Sequence, residues 1–154
     1  MNTSIANAAR KTGRELINPP LPEWHESKAS SERIPQRVLV VDDEPLIRWS
    51  VAETLAAVGM DVQQAGDAAT ALRLMTTDPA PFDVIVLDLR LPDMHDLSLL
   101  ATMRQLQPGC AIVLMTAFGT DCVIERAIGL GVETVLAKPF ELGKLVDAVY
   151  GVSR

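Results

Sequence analysis

Apolar and polar residues alternate along the chain from residue 37 onward in a pattern that predicts five strands, each followed by a helix. Short runs rich in Val, Ile and Leu are apolar at nearly every position, as expected for strands buried on both faces of a parallel sheet. Longer segments carry apolar residues at helical spacing. The predicted strands cover residues 38–41, 61–65, 83–87, 111–115 and 132–136, and the predicted helices about 45–58, 67–75, 96–105, 121–128 and 142–150.

Local signals mark the ends of the first two helices. Pro45 is suited to the first turn of a helix, where its missing N–H is no loss. Gly59 follows the last apolar position of the same helix and indicates its end. Asp67 directly precedes the second helix, and its short carboxylate side chain predicts an N-cap.

Strands that alternate with helices of about ten residues imply βαβ crossovers and therefore a parallel sheet. Five such units are too few to close an eight-stranded barrel. The sequence thus predicts an α/β fold with an open, doubly wound sheet and helices on both faces.

The first 36 residues follow no such pattern. Residues 18–22 are rich in proline, and residues 27–35 are polar without periodicity. We therefore predict a disordered N-terminal arm over residues 1–36 and one folded domain over residues 37–154.

Charge and composition restrict the partners. The 154 residues carry a net charge of -6, and residues 37–154 hold nine Lys or Arg against sixteen Asp or Glu. Such an acidic domain is poorly suited to binding a phosphate backbone, so we expect no direct nucleic-acid binding. No apolar run approaches the roughly eighteen residues of a membrane span. We expect a cytoplasmic protein that does not enter membranes. Its two cysteines, Cys110 and Cys122, match neither a disulfide framework nor a metal-ligand spacing.

Polar residues follow the predicted strands where a doubly wound sheet binds its ligands, beyond the carboxyl ends of the strands. Asp42 and Asp43 follow the first strand, and Asp88 follows the third. Thr116 ends the fourth strand, and Lys138 follows the fifth. Three neighbouring carboxylates repel one another, and a hard divalent cation relieves the repulsion. Mg²⁺ is suited to this role because it binds carboxylate oxygens and leaves positions for phosphate oxygens.

A carboxylate beside Mg²⁺ can attack an incoming phosphoryl group and form an acyl phosphate. That reaction requires mainly positioning and neutralised charge. The Lys138 ammonium and the Thr116 hydroxyl are suited to the remaining phosphoryl oxygens. These residues therefore predict phosphoryl transfer, although an isolated Asp, Thr or Lys at a strand end is more often a cap, a turn residue or a solvated charge.

Four segments of the chain resemble the response-regulator receiver domain of two-component signalling. They read VLVVDDEP, VIVLDLRLPDM, IVLMTAFG and VLAKPFEL, and the resemblance covers about residues 36–152. It implies the flavodoxin-like strand order 2-1-3-4-5, of which receivers are a known example. The first helix and the MTAFG segment are similar to receivers of the nitrogen-regulation transcriptional activator type.

The resemblance also implies a role for each residue of the site. Asp88 would be the phosphoacceptor, with Asp43 as a direct Mg²⁺ ligand and Asp42 acting through a metal-bound water. The main-chain carbonyl of Arg90 would complete the protein ligands. Thr116 would be the switch hydroxyl and Lys138 the phosphate-binding lysine, and the peptide bond that precedes Pro139 is expected to be cis.

The chain departs from the family pattern at two positions. Val135 stands where receivers commonly carry an aromatic switch residue, which leaves the coupling to an output face open. Asp96 stands where glycine is usual, so we expect a left-handed, somewhat strained backbone there. Arg90 and Phe118 are positioned to shield an acyl phosphate from water. His95 is interpreted as a solvated loop residue rather than a phosphorylation site.

These features predict a phosphoacceptor relay that catalyses its own phosphorylation and dephosphorylation but is not an enzyme acting on other substrates. One expected partner is a sensor histidine kinase. The other is a downstream protein or a second copy of the chain, bound through the face formed by the fourth helix, fifth strand and fifth helix. No output domain is expected, because the sequence ends soon after the last helix.

Two other classes stay open. A receiver that binds partners without being phosphorylated would be consistent with Val135 and Asp96. An aspartate-nucleophile phosphohydrolase would require an Asp-x-Asp at the first strand end, where this chain has Asp42 and Asp43 adjacent. A dinucleotide-binding enzyme is disfavoured, because no Gly-x-Gly-x-x-Gly follows the first strand.

Overall fold

Five strands alternate with five helices in the computed structural model, which describes residues 37–94, 96–117 and 119–152. The predicted arm over residues 1–36 lies outside the described residues. In chain order the elements are β1 (Arg37–Val41), α1 (Pro45–Ala57), β2 (Asp61–Ala65), α2 (Ala68–Thr77), β3 (Val84–Asp88), α3 (Ser98–Leu106), β4 (Ala111–Thr116), α4 (Asp121–Gly129), β5 (Thr134–Ala137) and α5 (Leu142–Val152).

The five strands form one parallel sheet in the order β2-β1-β3-β4-β5. This order confirms the predicted doubly wound α/β fold. Val41 of β1 pairs with Leu87 of β3, and Leu87 pairs with Leu114 of β4. Because the strands are parallel and in this register, the carboxyl ends of β1, β3 and β4 lie at the same edge of the sheet.

Alternate residues of each central strand enter two separate apolar layers. Leu39 and Val41 of β1 pack in the layer that α2 and α3 cover. Val38 and Val40 pack in the opposite layer, which α1 and α5 cover. Every residue of β3 and β4 is buried. This two-sided burial explains why both strands read as continuous apolar runs rather than as alternating ones.

The predicted signals hold at the end of the first helix and at the start of the second, although the second helix runs to Thr77, two residues beyond its predicted end. Gly59 has a φ of 95° just beyond α1, a conformation that L side chains rarely adopt. The Asp67 carboxylate accepts a hydrogen bond of 2.6 Å from the N–H of Thr70, which confirms the predicted N-cap of α2.

The start of the third helix was predicted two residues too early. The Asp96 carboxylate accepts a hydrogen bond of 3.0 Å from the Ser98 N–H and also contacts the Ser98 hydroxyl, so α3 begins at Ser98. Positive φ values in the described part of the chain occur only at glycines. The expectation of a left-handed Asp96 is therefore wrong; its carboxylate accepts from the N–H group two residues further along the chain.

Arg37 fastens the amino-terminal edge of the sheet, opposite the predicted site. Its guanidinium donates to the Asp61 carboxylate at 3.4 Å and to the two oxygens of Asp78 at 3.2 and 2.5 Å, and it lies 4.8 Å from the centre of the Phe82 ring. Its main-chain N–H donates to the Asp83 carboxylate at 3.0 Å. Arg37 thus ties β1 to β2 and to the connection between α2 and β3.

Among the described residues, no helix is both long enough and apolar enough to cross a membrane.

The two cysteines differ in exposure, which predicts different thiol reactivity. Cys110 is buried, and burial raises the pKa of its thiol to about 12, whereas Cys122 is exposed on α4. Because the thiolate is the reactive form, a maleimide should label Cys122 in the native protein and leave Cys110 unmodified. Intact mass spectrometry should show one label natively and two in denaturant. Native Cys122→Ser protein should take up none, and rapid double labelling of the native wild type would contradict the prediction.

Candidate metal centre

Three carboxylates lie close together at the carboxyl edge of the sheet. One oxygen from each of Asp42, Asp43 and Asp88 lies within 4.8 Å of the others. Asp88 is the last residue of β3, and Asp42 follows the last residue of β1. Since Val41 pairs with Leu87, the register places Asp42 and Asp88 side by side. This grouping was expected from the residues at the strand ends alone.

The three carboxylates differ sharply in their surroundings. Asp42 is fully buried and Asp88 is 6% exposed, whereas Asp43 is exposed. Asp42 is held in place by hydrogen bonds: one of its carboxylate oxygens accepts from the Glu44 N–H at 2.9 Å, and its main-chain N–H donates to the Ala65 carbonyl at 3.1 Å. The buried pair is therefore fixed, and the exposed member faces the solvent from which an ion would enter.

Lys138 connects the two buried carboxylates. Its ammonium lies 2.8 Å from one oxygen of Asp42 and 3.4 Å from one oxygen of Asp88. The Lys138 main-chain N–H donates to the Thr116 carbonyl at 2.8 Å, so the residue extends the pairing between β4 and β5. The bond between Lys138 and Pro139 is cis, as expected. The structure thus brings Lys138 directly onto the predicted acidic cluster.

Burial and charge act in opposite directions on the ionisable groups of the site. Burial raises the pKa of Asp88 and the charge of Asp42 adds to this, although the Arg90 N–H and Lys138 oppose it. For Lys138, burial lowers the pKa, but the hydrogen bond to Asp42 and the two carboxylate charges outweigh it, so the net shift is upward. Lys138 therefore remains a cation, and burial disfavours the charged form of Asp88.

Thr116 lies next to this cluster in the sheet, and Arg90 follows Asp88 by two residues along the chain. Thr116 ends β4, one residue beyond Met115, which pairs with Asp88, and Thr116 is almost fully buried. The Arg90 main-chain N–H donates to an Asp88 carboxylate oxygen at 3.2 Å. The Arg90 residue as a whole is exposed.

The donor set fits Mg²⁺. A hard cation of this kind prefers oxygen ligands and usually keeps several waters while it binds one or two carboxylates. The site offers three clustered carboxylates, one of them exposed, and the single ammonium of Lys138 contacts two of them. A divalent cation would therefore relieve the repulsion between carboxylates that Lys138 leaves in place.

The remaining sequence predictions have different outcomes. Val135 is partly buried on β5 and packs against the layer formed with α2 and α3. His95 and Phe118 lie outside the described residues, so their predicted roles stay predictions.

Two residues, Arg48 and Asp93, make contacts with or from the loops of the site and were not identified from the sequence. The Arg48 guanidinium donates to the Asp42 carbonyl at 2.8 Å, and the Asp93 carboxylate accepts from two N–H groups of α2. Arg48 lies on the helix that follows Asp42, and this closeness in sequence was the only, weak, indication of its contact with Asp42. Asp93 gave none, because its partners are 24 and 25 residues away in the chain.

Gly119 controls the space behind Thr116. A Cβ atom at this position would lie 2.9 Å from the Thr116 methyl carbon and 3.1 Å from a side-chain carbon of Ile124 in α4. Gly119→Ala should therefore overpack the contact and lower the free energy of unfolding by about 1–3 kcal/mol. Urea denaturation measures this.

Gly143→Ala provides a matched control, because a Cβ there meets nothing within 4 Å and Gly143 lies in α5. That variant should gain stability by about 0.5–1 kcal/mol. Equal effects of the two substitutions would show that Thr116 and Ile124 are not tightly packed around Gly119.

Known proteins resemble the chain over this whole domain. The family model of the response regulator receiver domain matches residues 38–150. The transcriptional regulatory protein TrcR of Mycobacterium tuberculosis is 34% identical over 156 residues, which cover 100% of this chain and 58% of that protein. The sporulation initiation phosphotransferase F of Bacillus subtilis is 31% identical over 114 residues, which cover 74% of this chain and 90% of that protein.

A solved structure resembles the fold as well. A response regulator protein from Burkholderia pseudomallei, described with a phosphorylated aspartic acid, a calcium ion and citrate, is 30% identical with a TM-score of 0.68. The match covers 74% of this chain and 66% of that one. Against several curated relatives the chain spans only 25% to 58% of their length. Their names differ, so the nitrogen-regulation type is one of several that the chain resembles.

Proposed function

The chain belongs to the response regulator receiver family of two-component signalling, and we propose that Asp88 accepts a phosphoryl group from a sensor histidine kinase in a Mg²⁺-dependent reaction. The observation that carries the proposal is the cluster of Asp42, Asp43 and Asp88 within 4.8 Å, with the Lys138 ammonium 2.8 Å from Asp42. Such a cluster is costly without a cation and suited to phosphoryl transfer with one.

The surroundings of the carboxylates support different roles toward Mg²⁺. Asp42 is fully buried, and its two oxygens accept from the Glu44 N–H at 2.9 Å and from the Lys138 ammonium at 2.8 Å. These contacts are closer than the 3.2 and 3.4 Å contacts of the two Asp88 oxygens, which favours contact of Asp42 with Mg²⁺ through a metal-bound water. Asp43 is exposed, and together with Asp88 it is available as a direct ligand. The Arg90 carbonyl, two residues after Asp88, is the proposed main-chain ligand. When bound, Mg²⁺ supplies positive charge to the carboxylates and to the phosphoryl oxygens.

The transfer itself is a displacement at phosphorus. A carboxylate oxygen of Asp88 forms the new P–O bond while the P–N bond to the kinase histidine breaks, and the histidine leaves as imidazole. The Arg90 N–H, 3.2 Å from an Asp88 oxygen, orients the carboxylate. The Lys138 ammonium, 3.4 Å from the other oxygen, is placed to neutralise charge on the transferred group. Attack of water at phosphorus breaks the P–O bond to Asp88, releases inorganic phosphate and restores the carboxylate.

Thr116 is the proposed switch. Its hydroxyl would hydrogen bond to the phosphoryl group, and its methyl group lies close to Gly119, which also adjoins Ile124 of α4. A movement of Thr116 would therefore be felt at the start of α4, without the aromatic residue that Val135 replaces. The output surface is then α4, β5 and α5, where the apolar side chains of Ile128 and Leu142 are exposed.

The proposed output is a protein contact, with a downstream partner or a second copy, in the cytoplasm. The excess of acidic residues over residues 37–154 disfavours direct nucleic-acid binding.

Acetyl phosphate should test the acceptor assignment without the kinase. Wild-type protein should gain one phosphoryl group only when Mg²⁺ is present, and Asp88→Asn should gain none, because an amide is not a nucleophile that forms an acyl phosphate. Intact mass spectrometry provides the readout. Asp147→Asn, an exposed position on α5, is the control and should be phosphorylated like the wild type.

Phosphorylation of Asp88→Asn to the wild-type level would contradict the acceptor assignment. A folded wild type that takes up no phosphoryl group from acetyl phosphate or from a kinase would favour a receiver that acts without phosphorylation. Steady release of phosphate from a phosphate ester would favour a hydrolase.

A further inference from the structure

The first turn of α2 is capped by two carboxylates from different parts of the chain. Asp67, directly before the helix, accepts from the Thr70 N–H at 2.6 Å. Asp93, from the connection between β3 and α3, accepts from the Ala68 N–H at 2.8 Å and from the Ala69 N–H at 2.9 Å. The first three N–H groups of the helix, which have no acceptor within the helix, are thus satisfied.

The Asp93 contacts are stronger than ordinary loop contacts. Each bond joins an ionised carboxylate to an N–H, and both point at the positive end of a helix dipole. Because Asp67 alone serves Thr70, the helix already has a local cap that does not involve the loop. The additional effect of Asp93 is to fasten the β3–α3 connection to α2.

The β3–α3 connection carries Arg90, whose main-chain carbonyl is a proposed Mg²⁺ ligand. Asp93 lies five residues after Asp88 and three after Arg90. Between them, the Leu91 N–H donates to the Met94 carbonyl at 3.3 Å, and the Leu91 side chain is buried. The segment is therefore fixed at one end by the bond between Arg90 and Asp88 and at the other by Asp93 on α2.

The β2–α2 connection, just before α2, also lies against a residue that contacts the other metal-site loop. Arg48 donates to the Asp42 carbonyl at 2.8 Å, and its guanidinium packs so closely on Gly66 that a Cβ there would lie 2.9 Å from a guanidinium nitrogen. Gly66 directly precedes Asp67. The β2–α2 connection and the first turn of α2 thus touch both loops that follow the metal-site strands, one through Arg48 and the other through Asp93.

We propose that Asp93 is a positioning residue for the Mg²⁺ site. It acts by holding in place the segment that carries the Arg90 carbonyl. This inference rests on the proposed function and extends it. Mg²⁺ requires a nearly ideal octahedral arrangement of oxygen ligands, so a ligand carbonyl that moves with a loose loop binds it less well. Asp93 does not touch the ion itself; it fixes the carbonyl that does.

Mg²⁺ affinity measured by calorimetry on the metal-free full-length chain tests the inference directly. Asp93→Ala and Asp93→Asn should each weaken Mg²⁺ binding by about tenfold, the lower end of the loss found when residues that orient metal ligands are changed. Asp67→Ala and Asp67→Asn are the controls. Both remove the same charge as the Asp93 variants, and Asp67→Ala also removes a cap of the same helix, whereas Asn can still accept at the N-cap. Both leave the β3–α3 connection fastened, and their Mg²⁺ affinity should equal that of the wild type.

Hydrogen exchange without metal gives a second readout. The amides of residues 89–91, 93 and 94 should exchange faster in both Asp93 variants than in the Asp67 variants, and thermal unfolding should show that all four variants are folded. Unchanged Mg²⁺ affinity in folded Asp93→Ala would overturn the inference and leave the proposed function intact, as would an equal loss in Asp67→Ala. A wild type that binds no Mg²⁺ would overturn the proposed metal site and the inference with it.

Discussion

Charge balance among Asp42, Asp88 and Lys138 holds the carboxyl edge of the sheet together. Taking carboxylates out of water costs several kcal/mol each unless they are paired and hydrogen bonded. Here Lys138 contacts both carboxylates, and main-chain N–H groups of Glu44 and Arg90 supply further hydrogen bonds. The exposed Asp43 adds a third carboxylate to this cluster. With three carboxylates around one ammonium, the site is suited to one divalent cation.

The sheet makes this cluster by register rather than by local sequence. Parallel strands β1 and β3 end level with each other, so the residue after Val41 and the residue after Leu87 become neighbours. The apolar runs predicted the buried strands, and the polar residues at their ends predicted the site. The positions of Asp42, Asp88 and Lys138 were predictable for that reason, since strand order and strand ends determine them.

Other features could not be read from the sequence, because their partners are distant along the chain. Arg37 meets Asp78 41 residues away, and Asp93 meets the start of α2 across 24 and 25 residues. No periodicity or spacing marks such pairs. Asp96 shows a different failure: the expected left-handed backbone came from the glycine usual in the family, but a carboxylate that bonds to Ser98 makes that conformation unnecessary.

A crystal structure with Mg²⁺ and beryllofluoride, a stable mimic of a phosphoryl group, would show whether Asp88 is the acceptor at a magnesium site. We predict the mimic on the Asp88 carboxylate, beside the Lys138 ammonium and the Thr116 hydroxyl. We also predict Mg²⁺ at about 2.1 Å from oxygens of Asp43, Asp88 and the Arg90 carbonyl. An ion held by other residues, or a mimic bound away from Asp88, would contradict the proposed mechanism.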